Sequence, residues 1–311
     1  MFPELGKKLM KHLKIKSIFE WCLSVGIIWF LIYKFNERQV LIGYIRQWLP
    51  PEEGSMLAAM LWGNMEGISR EFYAQMTKSG LIHILVVSGS NMMIVVKGLV
   101  EALASWLGRK KAIIVGIVAG WWYTNLVGFQ IPVIRAAVMV SFLYLGQLLG
   151  RKHDWLRVLL LTGVIMVVAS PRVLGEVGFW LSFLSFAAVS QKPDEGVVKT
   201  TLRVTVWITP ILALKFGVIS IVSPLSNFLA LFLTSAITTL GMIAQIIGVY
   251  FQDLGGIILW FIYPLLTYIK WVVVTLSAWE WGQIRISFNG WMVAGSYLLG
   301  IGWYLRRRGE K

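Results

Sequence analysis

Polar side chains interrupt one of the long apolar stretches of this sequence at regular intervals. His83, Ser90 and Lys97 are spaced so that a continuous helix would place them on one face. Glu101 follows one turn later. Polar groups in apolar surroundings need a protein or water partner, because their desolvation is costly. This face therefore predicts either a wet pathway inside a helix bundle, or hydrogen-bonded packing with Lys97 reaching the surface beside Glu101.

The sequence Ser88-Gly89-Ser90 allows a second interpretation of the same stretch. An interruption of the helix here would remove the common polar face. It would also expose backbone N–H and C=O groups that can bind a ligand. Asn91 follows directly and belongs to the same set of candidate pathway residues.

An arginine occupies another apolar stretch, in which Gln130 also lies. At the standard helical rise Arg135 is roughly 10 Å inside the helix end, and burying its charge costs about 3 kcal/mol or more. It needs a counter-charge, and Glu176 lies at a comparable depth in a later apolar stretch. We expect an Arg135–Glu176 ion pair, which either lines a pathway or only holds two helices together.

The elements that position these residues are predicted to be membrane-spanning helices. The 311-residue chain is 57% hydrophobic and only 14% charged, and its mean hydropathy is +0.72. A soluble domain has roughly a quarter of its residues charged. The sequence therefore predicts an all-α polytopic membrane protein, in which much of the net charge of +14 is accounted for by orientation signals.

Few residues are of the kinds that carry catalysis or hold metals. The chain has three histidines and a single cysteine, Cys22. It contains no glycine-rich phosphate loop, nucleophile motif or paired-carboxylate motif. We therefore expect no enzymatic activity, no metal and no other cofactor.

About ten apolar stretches are long enough to span a bilayer. The first, from roughly Ser17 to Tyr33, is predicted to be a retained anchor within an N-terminal segment of residues 1–34. The others fall within residues 80–305, followed by a short basic tail at 306–311. Lysine and arginine crowd alternate loops, so both termini are predicted to be cytoplasmic, with even-numbered spans entering from the outer face.

Residues 35–79 are predicted to form a short extracytoplasmic segment. Ile68, Phe72, Tyr73 and Met76 recur on one helical face. This pattern predicts an amphipathic helix that lies on the membrane surface just before the second span.

The predicted orientation gathers polar candidates toward the outer surface. Helix N-termini, with their positive ends, also point outward in even-numbered spans. The polar residues in the outer halves of these spans are His83, Gln130, Arg135, Glu176 and Asn227. Together they predict an outward-facing vestibule suited to an anion.

A series of short motifs runs in order over roughly residues 55–250. These motifs are Ser79–Gly89, Gly128–Ala136, Leu149–Arg151, Ala169–Pro171, Gly178–Phe183 and Ile219–Asn227. Taken in this order, they resemble the transmembrane domain of the ComEC competence family, the inner-membrane channel that admits single-stranded DNA during natural transformation.

The resemblance implies a multi-pass channel, or its minimal core, in a bacterial plasma membrane. It also implies partners besides single-stranded DNA and the lipid bilayer: a DNA receptor, a nuclease and a cytosolic helicase motor, with a homo-oligomer as one arrangement. Longer family members carry an outer oligonucleotide-binding barrel and a metallo-β-lactamase-like domain, neither of which we expect in this chain. The candidate pathway residues are His83, Ser88, Ser90, Asn91, Lys97, Gln130, Arg135, Glu176, Trp180, Ser182 and Asn227.

Two places depart from the usual pattern of the family. Members usually have leucine and histidine where this chain has Ser90 and Asn91, and glutamine where it has Trp180. Two alternatives to a DNA channel therefore stay open. One is a secondary transporter for a small anionic or lipid-linked substrate, with Arg135 and Glu176 at its site, and the other is a non-conducting membrane scaffold.

Overall fold

The structure is a computed structural model that describes residues 38–150, 155–190, 196–285, 289–293 and 295–298. The predicted anchor from Ser17 to Tyr33 and the basic tail at 306–311 lie outside these ranges. Helices make up most of the described chain, which confirms the predicted all-helical class. The few extended residues form one short antiparallel pair of strands.

Three helices precede the long apolar ones: α1 (Arg38–Trp48), α2 (Pro51–Trp62) and α3 (Arg70–Ser79). The following helices of the described chain are α4 (Gly89–Leu107), α5 (Arg109–Leu126), α6 (Ile131–Leu148), α7 (Trp155–Ala169), α8 (Val177–Ser190), α9 (Val197–Phe216), α10 (Ser223–Gly248) and α11 (Gln252–Ser277). Short 3₁₀ helices occupy Ile82–Leu85, Pro171–Gly175 and Glu280–Gly282, and β1 (Val218–Ser220) pairs with β2 (Gln283–Arg285).

Four helices of the described chain are long and apolar enough to cross a membrane, namely α4, α6, α10 and α11. Shorter apolar segments lie in α7 and α8, at Leu156–Ala169 and Val177–Val189. The helices α4 to α11 occur where the second to ninth spans were predicted. The membrane-protein class is therefore supported, whereas the count of ten spans and the orientation of the termini stay predictions.

The α2 helix lies in the hydrophobic core, although it belongs to the segment predicted to be extracytoplasmic. All of its residues from Glu53 to Trp62 are buried. It contacts α1, α10 and α11. A helix that is apolar around most of its circumference is stable only when it is covered on all sides. The sequence analysis missed this helix, because it treated residues 35–79 as a surface segment.

The α3 helix is the amphipathic helix that the sequence predicted before the second span. Ser69 caps it by accepting a hydrogen bond of 3.0 Å from the Phe72 backbone N–H. Phe72 and Met76 are buried, whereas Tyr73 is exposed. This helix packs against α11. Its predicted placement on a membrane surface stays a prediction.

The α4 helix begins at Gly89 rather than near residue 80. Gly80 has a left-handed backbone (φ 79°), Ile82–Leu85 form a 3₁₀ turn, and Ser88 is extended. The continuous helical face through His83, Ser90 and Lys97 is therefore not formed. Of the two interpretations that the sequence left open, the structure shows the interrupted helix.

Glycines let α10 and α11 pack backbone against backbone. A Cβ atom placed on Gly255 would lie 2.6 Å from both the Ala244 carbonyl oxygen and the Gly248 Cα atom. The Tyr44 ring of α1 covers the same two glycines, and its hydroxyl donates a 2.6 Å hydrogen bond to the Gln252 carbonyl. Helices approach this closely only where small residues meet.

We expect Gly255→Ala to destabilise the protein by about 1–3 kcal/mol, because backbone atoms cannot rotate away from the added methyl group. The thermal unfolding midpoint in detergent measures this loss. Gly98→Ala in α4 is the matched control, since a Cβ atom there meets nothing within 4 Å. Equal midpoints for the two variants would contradict the close packing of α10 on α11.

Candidate substrate pathway

A cavity of about 180 Å³ lies where the chain enters α4. It is lined by Met60 of α2, by His83, Ile84, Val86, Ser88 and Ser90 around the interruption, and by Leu231, Thr234 and Thr238 of α10. A larger groove of about 310 Å³ is lined by mostly apolar residues of α9 and α10 and includes none of the predicted site residues. No cluster of metal-ligating side chains occurs in the part of the chain that the structure describes.

Hydroxyl groups and the backbone N–H groups of the first helical turn meet at the start of α4. Ser88 Oγ and Ser90 Oγ share a hydrogen bond of 2.6 Å. No side chain caps the first turn of this helix. The backbone N–H groups at a helix start carry partial positive charge and bind anions readily. His83 contributes a ring whose Nδ1 atom lies 3.1 Å from the Gly80 carbonyl oxygen.

Arg135 of α6 approaches this helix start. Its Nη2 atom lies 3.8 Å from where a Cβ atom on Gly89 would stand. Its Nε and Nη1 atoms are buried and have no hydrogen-bond partner. An arginine offers five N–H donors and is almost never left unpaired in a protein interior. The arrangement is therefore a cationic group with unused donors beside the positive end of a helix, which suits a bound anion.

The predicted ion pair between Arg135 and Glu176 is not formed, and this corrects the sequence analysis. Glu176 is exposed and follows the 3₁₀ turn Pro171–Gly175, which the sequence analysis did not predict. Arg135 is directed toward Gly89 instead. Two residues at equal depth in two helices form an ion pair only if their side chains point toward each other.

Lys97 and Glu101 pair with each other, as one of the two interpretations predicted. Their side chains lie 3.8 Å apart, one turn apart on α4, and are both 59% exposed. An exposed pair of this kind adds at most about 0.5 kcal/mol to helix stability. Neither residue lines the cavity.

The two departures from the family pattern fall on hydrogen-bonded side chains. Asn91 is fully buried and donates a 2.7 Å hydrogen bond from Nδ2 to the Met60 carbonyl. Trp180 donates from Nε1 to the Leu174 carbonyl at 2.8 Å. Trp180 and Ser182 lie on α8 and do not line the cavity. We therefore assign packing contacts to Asn91 and Trp180 in this structure.

Gln130 and Asn227 also lie outside the cavity lining. The Gln130 amide covers Gly63, whose left-handed backbone (φ 64°) ends α2; a Cβ atom there would stand 2.0 Å from Gln130 Nε2. Asn227 donates to Ser223 Oγ at 3.3 Å, and its buried Oδ1 atom has no partner. The structure thus brings His83, Ser88, Ser90, Asn91 and Arg135 to the start of α4. His83, Ser88 and Ser90 line the cavity, and none of the other candidates does.

Thr234 and Thr238 are cavity residues that the sequence analysis missed. They follow Asn227 by about two and three helical turns, so the three residues form a polar line along α10. Each threonine hydroxyl donates to a backbone carbonyl of its own helix, at 2.7 and 2.9 Å. This spacing is the signal in the sequence that indicates the two threonines, and both lie C-terminal to the motif Ile219–Asn227.

Comparisons with known proteins cover most of the chain. The family model described as Competence protein matches residues 60–309. ComE operon protein 3 of Bacillus subtilis (strain 168) is 27% identical over 202 residues, which cover 62% of this chain and 26% of that protein. An uncharacterized protein of Aquifex aeolicus (strain VF5) is 36% identical over 108 residues, which cover 34% of this chain and 25% of that protein.

The chain spans about a quarter of the length of these relatives. No solved structure matches it. The family match begins inside α2 and includes the interrupted entry to α4, Arg135 and the polar line of α10. The resemblance inferred from the motifs is thereby confirmed, and the chain belongs to the ComEC competence protein family.

Proposed function

We propose that this protein forms the plasma-membrane channel, or the core of the channel, through which single-stranded DNA enters the cytoplasm. Membership of the competence family suggests a role in DNA uptake. The observation that carries the channel proposal is Arg135, whose buried donors lack a partner beside the uncapped start of α4. A phosphate group supplies what both of these features need.

The chemistry at the start of α4 suits a nucleic-acid backbone better than a specific base sequence. Arginine donors and helix N–H groups bind phosphate oxygens, which every nucleotide carries. Ser88, Ser90 and His83 add small polar contacts without a pattern that would distinguish bases. A channel for DNA of any sequence requires this kind of contact.

The cavity is smaller than a strand requires. Its volume of about 180 Å³ is below the roughly 300–1,000 Å³ of typical small-molecule sites. A strand therefore passes only when the walls from α2, α4 and α10 move apart. Because the chain contains no nucleotide-binding loop, we propose that a separate cytosolic motor supplies the force, and that a receptor and a nuclease act before the channel.

Uptake of labelled double-stranded DNA by cells with and without this gene tests the channel proposal. We expect deletion to remove cytosolic label while surface-bound label persists, and we expect the intact gene to restore it. If neither fraction changes in cells that take up DNA, the channel proposal is wrong. Scoring the two fractions separately distinguishes the membrane step from DNA capture at the surface.

The small volume of the cavity favours a second candidate, a transporter for a small anion bound at the start of α4, which Arg135 approaches. Glu176 has no part in this version, since it does not pair with Arg135. Uptake of labelled inorganic phosphate and carboxylates into vesicles that contain the purified protein distinguishes the two candidates. Saturable uptake abolished by Arg135→Gln, with DNA uptake by cells unaffected, would favour the transporter.

A further inference from the structure

The last turn of α2 leaves the backbone carbonyl groups of Met60 and Leu61 without partners inside the helix. The Ala58 and Ala59 carbonyls accept hydrogen bonds from the N–H groups of Asn64 and Gly63. The next two carbonyls, of Met60 and Leu61, belong to the final turn, where helices lack internal donors. A buried carbonyl without a partner is destabilising, so a donor from another element is required here.

Two side chains from different helices supply these donors. Asn91 of α4 donates to the Met60 carbonyl, and Tyr123 of α5 donates to the Leu61 carbonyl, each at 2.7 Å. Asn91 and Tyr123 are 0% and 1% exposed. The Tyr123 ring also packs on Trp62, with centroids 5.9 Å apart. The end of α2 is thus fixed to the α4–α5 pair by buried hydrogen bonds.

The same contacts connect two walls of the cavity. Met60, whose carbonyl Asn91 holds, lines the cavity, and so does Ser90, which precedes Asn91 in the chain. A rotation or shift of the α2 end would therefore change the separation between the α2 wall and the α4 wall. Thr234 of α10 lines the same cavity. A reactive group placed at this position is therefore more accessible when the cavity is wider.

We propose that Asn91 and Tyr123 are positioning residues that hold the end of α2 against the start of α4 and thereby set the width of the cavity. The hydrogen-bond donor is the property required of residue 91. The importance of the cavity for transport rests on the proposed function. The two hydrogen bonds that fix the end of α2 do not depend on that function.

Cysteine labelling measures this width without DNA. The reporter is the full chain with Cys22→Ser and Thr234→Cys, reacted from outside with a small, cationic, membrane-impermeant thiol reagent. Asn91→Leu and Tyr123→Phe each remove one donor, and we expect each to raise the labelling rate about tenfold, the factor that corresponds to one buried hydrogen bond. Tyr123→Phe removes a single oxygen atom, so it retains the packing on Trp62.

Two further variants test the reason for the change. Asn91→His keeps a ring N–H donor and is expected to hold the labelling rate within about threefold of that of the reporter chain. Expressed as a free energy, this change is less than half of the change expected for Asn91→Leu. Thr124→Val removes a buried hydroxyl whose hydrogen bond stays within α5, to the Gly120 carbonyl at 2.8 Å, and is expected to leave the rate unchanged.

Unchanged labelling in both Asn91→Leu and Tyr123→Phe overturns the proposal. So does an equal increase in Thr124→Val, because that outcome indicates general loosening. An increase limited to the donor variants supports the positioning role even if deletion of the gene leaves DNA uptake intact, in which case the channel function alone fails.

Discussion

Replacing Arg135 by glutamine is expected to lower the delivery of DNA into the cytoplasm by at least about tenfold, while DNA bound at the cell surface is unchanged. Glutamine retains hydrogen-bond donors but loses the charge, and charge-assisted hydrogen bonds are about twice as strong as neutral ones. The ratio of cytosolic to surface-bound label measures the effect. Arg135→Lys keeps the charge without the planar fork and is expected to retain part of the activity.

Salt dependence tests whether phosphate is the ligand of Arg135. Log affinity falls as log salt rises, and loss of one phosphate contact to a single strand makes this negative slope shallower by about 0.7. Binding of a fluorescent oligonucleotide to the purified protein gives this slope. Arg172→Gln, which removes an exposed arginine from the turn before α8, is the control and is expected to leave uptake unchanged. An unaltered slope in Arg135→Gln would rule out the phosphate role.

The stability of Arg135→Gln separates a ligand-binding arginine from a structural one. Buried donors without partners lower the stability of the free protein, so removal of the charge is expected to maintain or raise the thermal unfolding midpoint. A structural arginine would show a fall in this midpoint together with the fall in uptake. The two quantities are therefore expected to change independently.

The parts of the fold that could be predicted from the sequence are those that depend on local patterns. The apolar stretches located α4 to α11, and the periodicity of Phe72 and Met76 located α3. The ion pair between Lys97 and Glu101 could be predicted because both residues lie on one helix, one turn apart. In each case the neighbours along the chain determine the outcome.

Contacts between helices could not be predicted in this way. Depth in the bilayer made Arg135 and Glu176 candidate partners, but depth carries no information about the direction in which each side chain points, even where the two helices are in contact. The hydrogen bond of Asn91 could not be predicted, because its partner, the Met60 carbonyl, lies on another helix, α2. The α2 helix itself was missed because its burial depends on α1, α10 and α11 covering it together.

Lys270→Met is expected to lower the free energy of unfolding by about 3 kcal/mol, because it leaves a buried carboxylate without its partner. Lys270 Nζ lies 3.2 Å from Glu53 Oε1 and also contacts the Glu52 carboxylate. The Glu53 side chain is only 6% exposed, whereas that of Glu52 is 52% exposed. These contacts fix the start of α2 to α11. Unfolding in detergent measured by denaturant titration gives the loss.

Substitutions of the two glutamates identify which contact matters. Glu52→Gln is expected to cost less than about 1 kcal/mol, since exposed ion pairs contribute little. Glu53→Gln combined with Lys270→Met is expected to regain most of the loss, because no unpaired charge then stays buried. If Lys270→Met were no worse than Glu52→Gln, Lys270 would not hold α2. The start of α2 would then be held by its buried contacts with α1, α10 and α11 rather than by the ion pair.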